Sequence, residues 1–165
     1  MTDGLQPDPQ SSRKPAPPAK LGDLIISTTL NREEAFIKAL QGERILGIGG
    51  LQVYAHYSST VTVVMMHNPT TTEQHKYVIA MAKGHTYIVA APVSWTEYHR
   101  EIVERVSRAS GAEAICSGGG FLTFIEGAGL RASGWSTDFG PADHTLAKEA
   151  FSLAVEETVA MRPPS

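Results

Sequence analysis

Residues 60–92 carry the clearest β-strand pattern of the chain, in three segments separated by turn-forming residues. The first segment, TVTVVMMH (60–67), is rich in β-branched and apolar residues, which are typical of a buried strand. The turn-like stretch NPTTTEQ leads to HKYVIAMA (75–82), and a Lys-Gly pair separates that segment from HTYIVAAP (85–92). The pattern therefore predicts a strand followed by two strands that are joined by a tight turn.

The next segment, SWTEYHREIVERV (94–106), predicts a helix that carries a candidate catalytic residue. Ser94 and Glu97 have the spacing of a capping box, so we expect the helix to begin at Ser94. Its apolar residues recur at helical spacing and form one stripe: Trp95, Tyr98, Ile102, Val106 and Ala109. His99 falls roughly 40° from the centre of that stripe at about 100° per residue. We therefore expect His99 to face the body of the protein near the positive end of the helix dipole.

Two interpretations of His99 are open on this helix alone. Burial and the helix dipole both disfavour the imidazolium form, and a neutral imidazole can accept a proton or attack phosphorus. A lone histidine on an apolar helix face is more commonly a packing residue.

The N-terminal part of the chain divides into a tail and an extension. Residues 1–20 are rich in proline and polar residues and are expected to be a disordered tail. Residues 21–60 are expected to pack on the core, with a short strand near 24–26 and a helix at 32–41 that Asn31 and Glu34 cap. The glycine-rich stretch at 45–57 lacks the third glycine of a nucleotide-binding loop, because Gln52 stands there, and it favours a glycine-kinked strand or hairpin.

The C-terminal part predicts a meander of short strands followed by a helix. EAICS, FLTFIE and LRASGWS are the strand segments, with the glycine triplet 118–120 after the first and a Gly-Ala-Gly turn at 127–129. An amphipathic helix is expected to begin at Gly140-Pro141, with the proline at its first position. The triplet has two open interpretations: a bulge where another backbone comes close, or a concavity of peptide N–H groups that binds an anion.

Composition and spacing exclude several functional classes. A chain of 165 residues with 42% apolar content suits one domain, and a net charge of −3 without a basic block argues against nucleic-acid binding. Cys116 is the only cysteine, which fits a reducing compartment, and we expect a cytoplasmic protein that neither spans a membrane nor is secreted.

The spacing of individual residues argues against three kinds of active site. A cysteine phosphatase would need arginine where Leu122 stands, and a serine hydrolase elbow would need glycine at Asp138. The six histidines lack metal-ligand spacing. The histidine spacing therefore predicts no metal site, and we also expect no cofactor.

Three blocks together resemble the phosphohistidine phosphatase family, also called Janus/Ocnus. They are SWTEYHREIVERVS (94–107), CSGGG (116–120) and GWSTDFGPADH (134–144), and the resemblance covers roughly Val61 to Val159. It implies an α/β (α+β) fold in which a mixed sheet of about six strands has a helix on each face, here with an N-terminal extension that adds a short helix and strand. The domain would span residues 61–165. The resemblance also implies a metal-independent phosphatase that acts on phosphohistidine-containing proteins, and we expect it to be a monomer.

The resemblance assigns roles to individual residues. His99 is the expected catalytic histidine, as a base on water or as a nucleophile, and Lys76 is the expected phosphate-binding lysine. The expected substrate-binding residues are Tyr98, Ser136, Thr137 and Asp138, together with Gly118, Gly119 and Gly120.

Three departures from the family pattern remove positive charge from this expected site. Phe121 stands where the family often has arginine, Ala91 where it can have a basic residue, and Asp138 where it has a small residue. Asp138 either opposes phosphate binding or caps the helix that follows Gly140-Pro141, and we favour the cap. The departures keep a second hypothesis open, a phosphate- or phosphoprotein-binding module of the same fold with little turnover.

Overall fold

The computed structural model describes residues 31–45, 47–48, 50–68, 73–125 and 129–161. The predicted tail, the predicted strand near 24–26 and most of the turns at 68–74 and 127–129 lie outside these residues. Within them the chain forms one mixed sheet and three α-helices. In chain order these elements are α1 (Arg32–Leu40), β1 (Gly47–Ile48), β2 (Leu51–Tyr57), β3 (Val61–His67), β4 (His75–Ala82), β5 (His85–Pro92), a 3-10 turn (Val93–Trp95), α2 (His99–Ser110), β6 (Ile115–Ile125), β7 (Gly129–Ser133) and α3 (His144–Ala160).

The sheet confirms the predicted fold class. Its described part has seven strands in the order β1-β2-β3-β5-β4-β6-β7, and β3 and β5 are its parallel neighbours. The tight turn between β4 and β5 is confirmed at Lys83 and Gly84, which both have positive φ angles. Residues 45–57 were predicted to be a glycine-kinked strand or a hairpin, and the described residues form the hairpin, as β1 and β2. Strand β2 also pairs with β3, so the N-terminal extension is part of the sheet.

Helices cover both faces of the sheet and enclose a hydrophobic core on each. One core contains residues of α1, α2 and the facing strand positions, including Phe36, Val64 and Ile102. The other lies under α3 and includes Tyr77, Leu122 and Phe151. In the described residues, no helix has the length and apolar character needed to cross a membrane.

Helix α1 begins as predicted and packs beside α2. Asn31 and Glu34 form the capping box, because each side chain accepts a hydrogen bond from the backbone N–H of the other residue. On α2, the guanidinium group of Arg105 lies 2.9 Å from the Glu33 carboxylate and that of Arg108 lies 2.7 Å from it. These ion pairs join the N-terminal extension to the helix that carries His99.

The start predicted for α2 is wrong. The helix begins at His99 with Tyr98 as its N-cap, whereas Ser94 lies in the preceding 3-10 turn and contacts the Glu73 carboxylate at 3.2 Å. Thr96 is extended and separates the turn from the helix, so the spacing of Ser94 and Glu97 does not act as a capping box. The Glu101 carboxylate instead accepts a hydrogen bond from the Glu97 N–H at 3.0 Å. His99 is therefore the first residue of α2.

The start predicted for α3 is also wrong. The helix begins at His144, and the Asp143 side chain caps it by accepting the Leu146 N–H at 3.1 Å. Pro141 pairs with Gly119 of β6 in a parallel bridge, so its segment lies along the sheet before the helix starts. The predicted capping role of Asp138 is consequently wrong, because Asp143 fills it.

The glycine triplet lies within β6, which is one strand of 11 residues where we predicted a break. A Cβ atom on Gly118 would lie 2.4 Å from the carbonyl oxygen of Pro141, and one on Gly119 would lie 2.8 Å from that of Tyr77. The register of β4 and β6 shifts beside the triplet, between Ile79 and Ala80. These contacts agree with the interpretation that another backbone comes close to the triplet.

Candidate functional site

A pocket of about 360 Å³ lies where the first turn of α2 meets β4, β6 and the loop after β7. Six of the nine predicted site residues line it. The lining residues are Lys76, Glu97, Tyr98, His99, Phe121, Gly134, Trp135, Ser136, Thr137 and Asp138. The fold therefore brings together residues that are separated by up to 62 positions in the sequence (76 to 138).

His99 is held in one orientation by a backbone carbonyl group. Its side chain is only 5% exposed, and its Nε2 atom lies 2.8 Å from the carbonyl oxygen of Gly120. A carbonyl oxygen can only accept a hydrogen bond, so Nε2 carries the proton. Nδ1 makes no hydrogen bond to any described residue, and it is the ring nitrogen left to face the pocket.

The surroundings of His99 favour its neutral form. Burial lowers the pKa of His99, and the nearby positive charge of Lys76 lowers it further, while the contact with Gly120 and the charge of Asp138 act in the opposite direction. The ring also meets Phe121 edge to face, with the ring centroids 5.4 Å apart. The Nδ1 lone pair is therefore available at neutral pH.

Lys76 lies near the start of β4, and backbone carbonyl groups fix its ammonium group. Its Nζ atom donates hydrogen bonds to the carbonyl oxygens of Thr96 and Glu97, both at 2.8 Å. An ammonium group has three N–H donors, so one remains for a ligand in the pocket. The same two bonds hold the segment that leads into α2, and they couple the position of the charge to that of His99.

The loop after β7 is shaped by the Ser136 hydroxyl group. Its oxygen accepts hydrogen bonds from the backbone N–H groups of Asp138 and Phe139, both at 3.2 Å, and Ser136 is 1% exposed. A backbone bridge between Ser136 and Gly140 closes the loop. Thr137 at its tip is exposed and lines the pocket. Ser136 therefore organises the loop as an acceptor, and its hydroxyl proton has no acceptor among the described residues.

Asp138 lies at the rim of the pocket and forms an ion pair with Arg100 of α2. The carboxylate oxygen Oδ2 is 3.3 Å from a guanidinium nitrogen of Arg100. The same guanidinium group lies 4.2 Å from the centre of the Tyr98 ring, at a distance typical of a cation–π contact. A hydrogen bond to Glu97 raises the pKa of the Tyr98 hydroxyl group.

The glycine triplet does not line the pocket, although it lies directly behind His99. Gly120 supplies the carbonyl oxygen that binds Nε2, and a Cβ atom on Gly119 would lie 2.9 Å from the His99 ring. The Gly119 N–H donates to the carbonyl oxygen of Gly140 at 3.0 Å, so it is already used by the protein. These glycines therefore let the helix and the loop approach β6 closely.

Two residues that depart from the family pattern, Ala91 and Phe121, are the direct neighbours of Lys76 in the sheet. Lys76 is opposite Ala91 on β5 and opposite Phe121 on β6, so the three positions form one row across the sheet. Ala91 is fully buried, and Phe121 lines the pocket. Lys76 is therefore the one cationic residue of these three, whereas the family pattern can have a basic residue at each of the two neighbouring positions.

Sequence reasoning missed three residues at this site. The sequence pattern predicts only a capping role for Glu97, places Trp135 in a strand segment and assigns no role to Arg100. Trp135 is 65% exposed at the pocket, and an aromatic residue next to a predicted substrate loop was the signal that could have identified it. The Arg100–Asp138 pair joins positions 38 residues apart, and no local pattern indicates it.

The arrangement suits the binding and attack of a phosphoryl group. It combines a neutral imidazole, an ammonium group, a helix N-terminus and the hydroxyl groups of Ser136 and Thr137 in a tight loop. Among the described residues, no three His, Cys, Asp or Glu side chains lie close enough together to hold a metal ion.

Comparison with known proteins shows a match to one protein family. A family model described as the Janus/Ocnus family matches residues 60–157, which is more than half of the chain. A search of curated proteins found no match.

Proposed function

The chain belongs to the Janus/Ocnus family, and from this membership and the pocket geometry we propose that it is a metal-independent phosphohistidine phosphatase. It hydrolyses the P–N bond of phosphohistidine in proteins. The observation that carries this proposal is the orientation of His99, whose Nε2–H is bound by Gly120 while Nδ1 faces a pocket that also contains the Lys76 ammonium group.

Two routes use His99 without any other nucleophile from the protein. As a base, Nδ1 removes a proton from water, the water oxygen bonds to phosphorus, and the P–N bond breaks while the leaving imidazole takes up a proton. As a nucleophile, Nδ1 bonds to phosphorus directly and releases the substrate imidazole, and water then cleaves the new P–N bond. A protonated imidazole is a good leaving group, so both routes require mainly alignment and charge neutralisation.

Lys76 and the surrounding backbone provide that neutralisation. The third N–H of the Lys76 ammonium group binds a phosphoryl oxygen, and the first turn of α2 presents its N-terminal end to the same pocket. Thr137 and the Ser136 hydroxyl group are the further donors at the site, and Tyr98 lies beside them with its hydroxyl group bound to Glu97.

The second candidate is a phosphate- or phosphoprotein-binding module with little turnover. The observation in its favour is the charge of the pocket, because Phe121 and Ala91 leave Lys76 without a second cation on the strands and Asp138 adds a carboxylate. Such a module would keep the pocket and bind phosphate without releasing it from a substrate.

Release of phosphate from a phosphohistidine peptide, with and without EDTA, separates these candidates. A phosphatase releases phosphate over many turnovers, and EDTA leaves the rate unchanged. Stoichiometric binding of inorganic phosphate without any release from the peptide would favour the binding module. A rate that falls with EDTA and recovers with added metal would contradict the proposed mechanism.

We further propose a monomer that acts in the cytoplasm on phosphohistidine-containing proteins. The single cysteine, Cys116, is consistent with a reducing compartment. It is half-buried, and burial raises the pKa of its thiol, so it has no features of a second nucleophile at this site.

A further inference from the structure

Arg100 holds a positive charge at the rim of the pocket without belonging to its lining. It follows His99 in α2, and its guanidinium group contacts two lining residues, Asp138 at 3.3 Å and the Tyr98 ring at 4.2 Å. The contact with Tyr98 lies on a flat ring face and leaves the N–H groups of the guanidinium free to bind oxygen atoms.

An anion with a higher charge can replace Asp138 as the partner of Arg100, because the ion pair between them is weak. It consists of a single N–O contact, and the side chains of Arg100 and Asp138 are 54% and 40% exposed. Exposed ion pairs contribute little to stability because water screens both charges. A guanidinium group has five N–H donors, and in the described part of the chain Asp138 is the hydrogen-bond partner of one of them.

The charge inside the pocket is unfavourable for a phosphoryl group in the absence of Arg100. Among the lining residues of the described chain, Lys76 is the one cationic side chain, and it is accompanied by the carboxylates of Glu97 and Asp138. A phosphoryl group carries close to two negative charges at pH 7. A second cation within reach would offset the carboxylates and replace the charge that Phe121 and Ala91 do not supply.

We propose that Arg100 is a second phosphate-binding residue, which leaves Asp138 and binds the phosphoryl oxygens when substrate enters. Asp138 then acts as a resting partner that holds the guanidinium group at the rim of the empty pocket. The planar guanidinium group can donate two parallel hydrogen bonds to one phosphoryl group, a geometry that an ammonium group does not have. This inference rests on the proposed function, which supplies the phosphoryl group, and extends it to a residue to which the family resemblance assigns no role.

A mutant cycle with inorganic phosphate as the probe tests the proposal. Binding is measured by calorimetry for the wild type, Arg100→Ala, Asp138→Asn and the double variant. Arg108→Ala is the matched control, because it removes the same charge from the same helix at a position that pairs with Glu33 and not with the pocket. The melting temperature of each variant establishes that it is folded.

We expect Arg100→Ala to weaken phosphate binding about tenfold in both the wild-type and the Asp138→Asn backgrounds, as for the loss of a charge-assisted hydrogen bond. Asp138→Asn alone should strengthen binding several-fold, and Arg108→Ala should leave it unchanged. If Arg100→Ala weakens binding in the wild type but has no effect in the Asp138→Asn background, Arg100 only neutralises the carboxylate, and the proposal is wrong. Equal binding by Arg100→Ala and the wild type would overturn it as well.

The same proteins separate this proposal from the proposed function. If the wild type binds phosphate through Arg100 but releases none from a phosphohistidine peptide, the phosphatase proposal fails and the role of Arg100 stands. If the wild type hydrolyses the peptide and Arg100→Ala has an unchanged KM, the role of Arg100 fails and the phosphatase stands. A wild type that does not bind inorganic phosphate at millimolar concentrations would contradict the role of Arg100 directly.

Discussion

The Nε2 atom of His99 lies 2.8 Å from the carbonyl oxygen of Gly120, and this contact sets both the tautomer and the position of the ring. It is possible because Gly119 has no side chain, since a Cβ atom there would lie 2.9 Å from the ring. A glycine in β6 therefore determines how closely α2, and with it His99, approaches the sheet.

His99→Asn should abolish turnover of a phosphohistidine peptide, because asparagine provides neither a base nor a nucleophile of comparable strength. The variant should remain folded, with a loss of about 1–2 kcal/mol in unfolding free energy for the altered hydrogen bond and ring contact. His56→Asn is the control, because His56 is a part-buried histidine on β2 that pairs with Glu157 of α3. Parental activity in His99→Asn would show that His99 is a packing residue.

The pH dependence of kcat/KM should follow the protonation of His99. The proposed reaction requires the neutral imidazole, and burial lowers the pKa of His99 below its usual value of 6.5. Activity should therefore be constant around pH 7 and should fall only below pH 6.5, as the pH passes through the lowered pKa. Steady-state kinetics from about pH 4.5 to about pH 8.5 would measure this dependence, because that interval covers the pKa values that histidines commonly have in proteins. An acidic limb centred above pH 7 would mean that the imidazole is more easily protonated than its burial allows.

Elements that depend on neighbouring residues were predictable from the sequence. The capping box of α1 and the turn between β4 and β5 involve residues at most three positions apart, and the structure confirms both. The starts of α2 and α3 were not predictable in this way. Ser94 has the right local spacing for a cap, but it binds Glu73, 21 positions earlier in the chain. Pro141 suits a helix start, but it pairs with Gly119 on the sheet.

The candidate site was partly predictable for the same reason. The family resemblance identifies His99, Lys76 and the loop at 136–138, and these residues meet at one pocket. The blocks do not indicate what the glycine triplet contacts, because its contacts come from other elements of the fold. They also give no sign that Ala91 and Phe121 lie on either side of Lys76, which follows from the strand order β5-β4-β6.

Lys76→Met should raise KM for a phosphohistidine peptide by about tenfold or more and should lower kcat by a smaller factor. The reason is that the charge contact is present in both the bound substrate and the transition state. Methionine retains most of the side-chain length without the charge, and the hydrogen bonds to Thr96 and Glu97 are lost. Lys148→Met, an exposed position on α3, removes one positive charge away from the pocket and should leave both constants unchanged. An unchanged KM in Lys76→Met would mean that the ammonium group only supports the segment before α2.

Asp143→Ala and Asp138→Ala should differ in thermal stability. Asp143 accepts the Leu146 N–H at the start of α3, and loss of such a cap costs about 1 kcal/mol, or a few degrees in Tm. Asp138 forms an exposed ion pair with Arg100, so its removal should change Tm by less than about one degree. Thermal unfolding followed by circular dichroism would measure both. A larger loss of stability in Asp138→Ala than in Asp143→Ala would contradict the assignment of the cap.

Phe121→Arg should increase the affinity of the pocket for a phosphorylated substrate. Phe121 lies directly opposite Lys76 on the neighbouring strand, and an arginine there would add a second cation to the row that Ala91 and Lys76 begin. We expect KM to fall about fivefold at low ionic strength. This decrease in KM should become smaller as the salt concentration rises, because dissolved ions screen the interaction between the added charge and the substrate. Phe121→Leu is the matched control, since it removes the ring contact with His99 without adding charge. Equal KM values for Phe121→Arg and Phe121→Leu would show that position 121 affects the substrate through packing and not through charge.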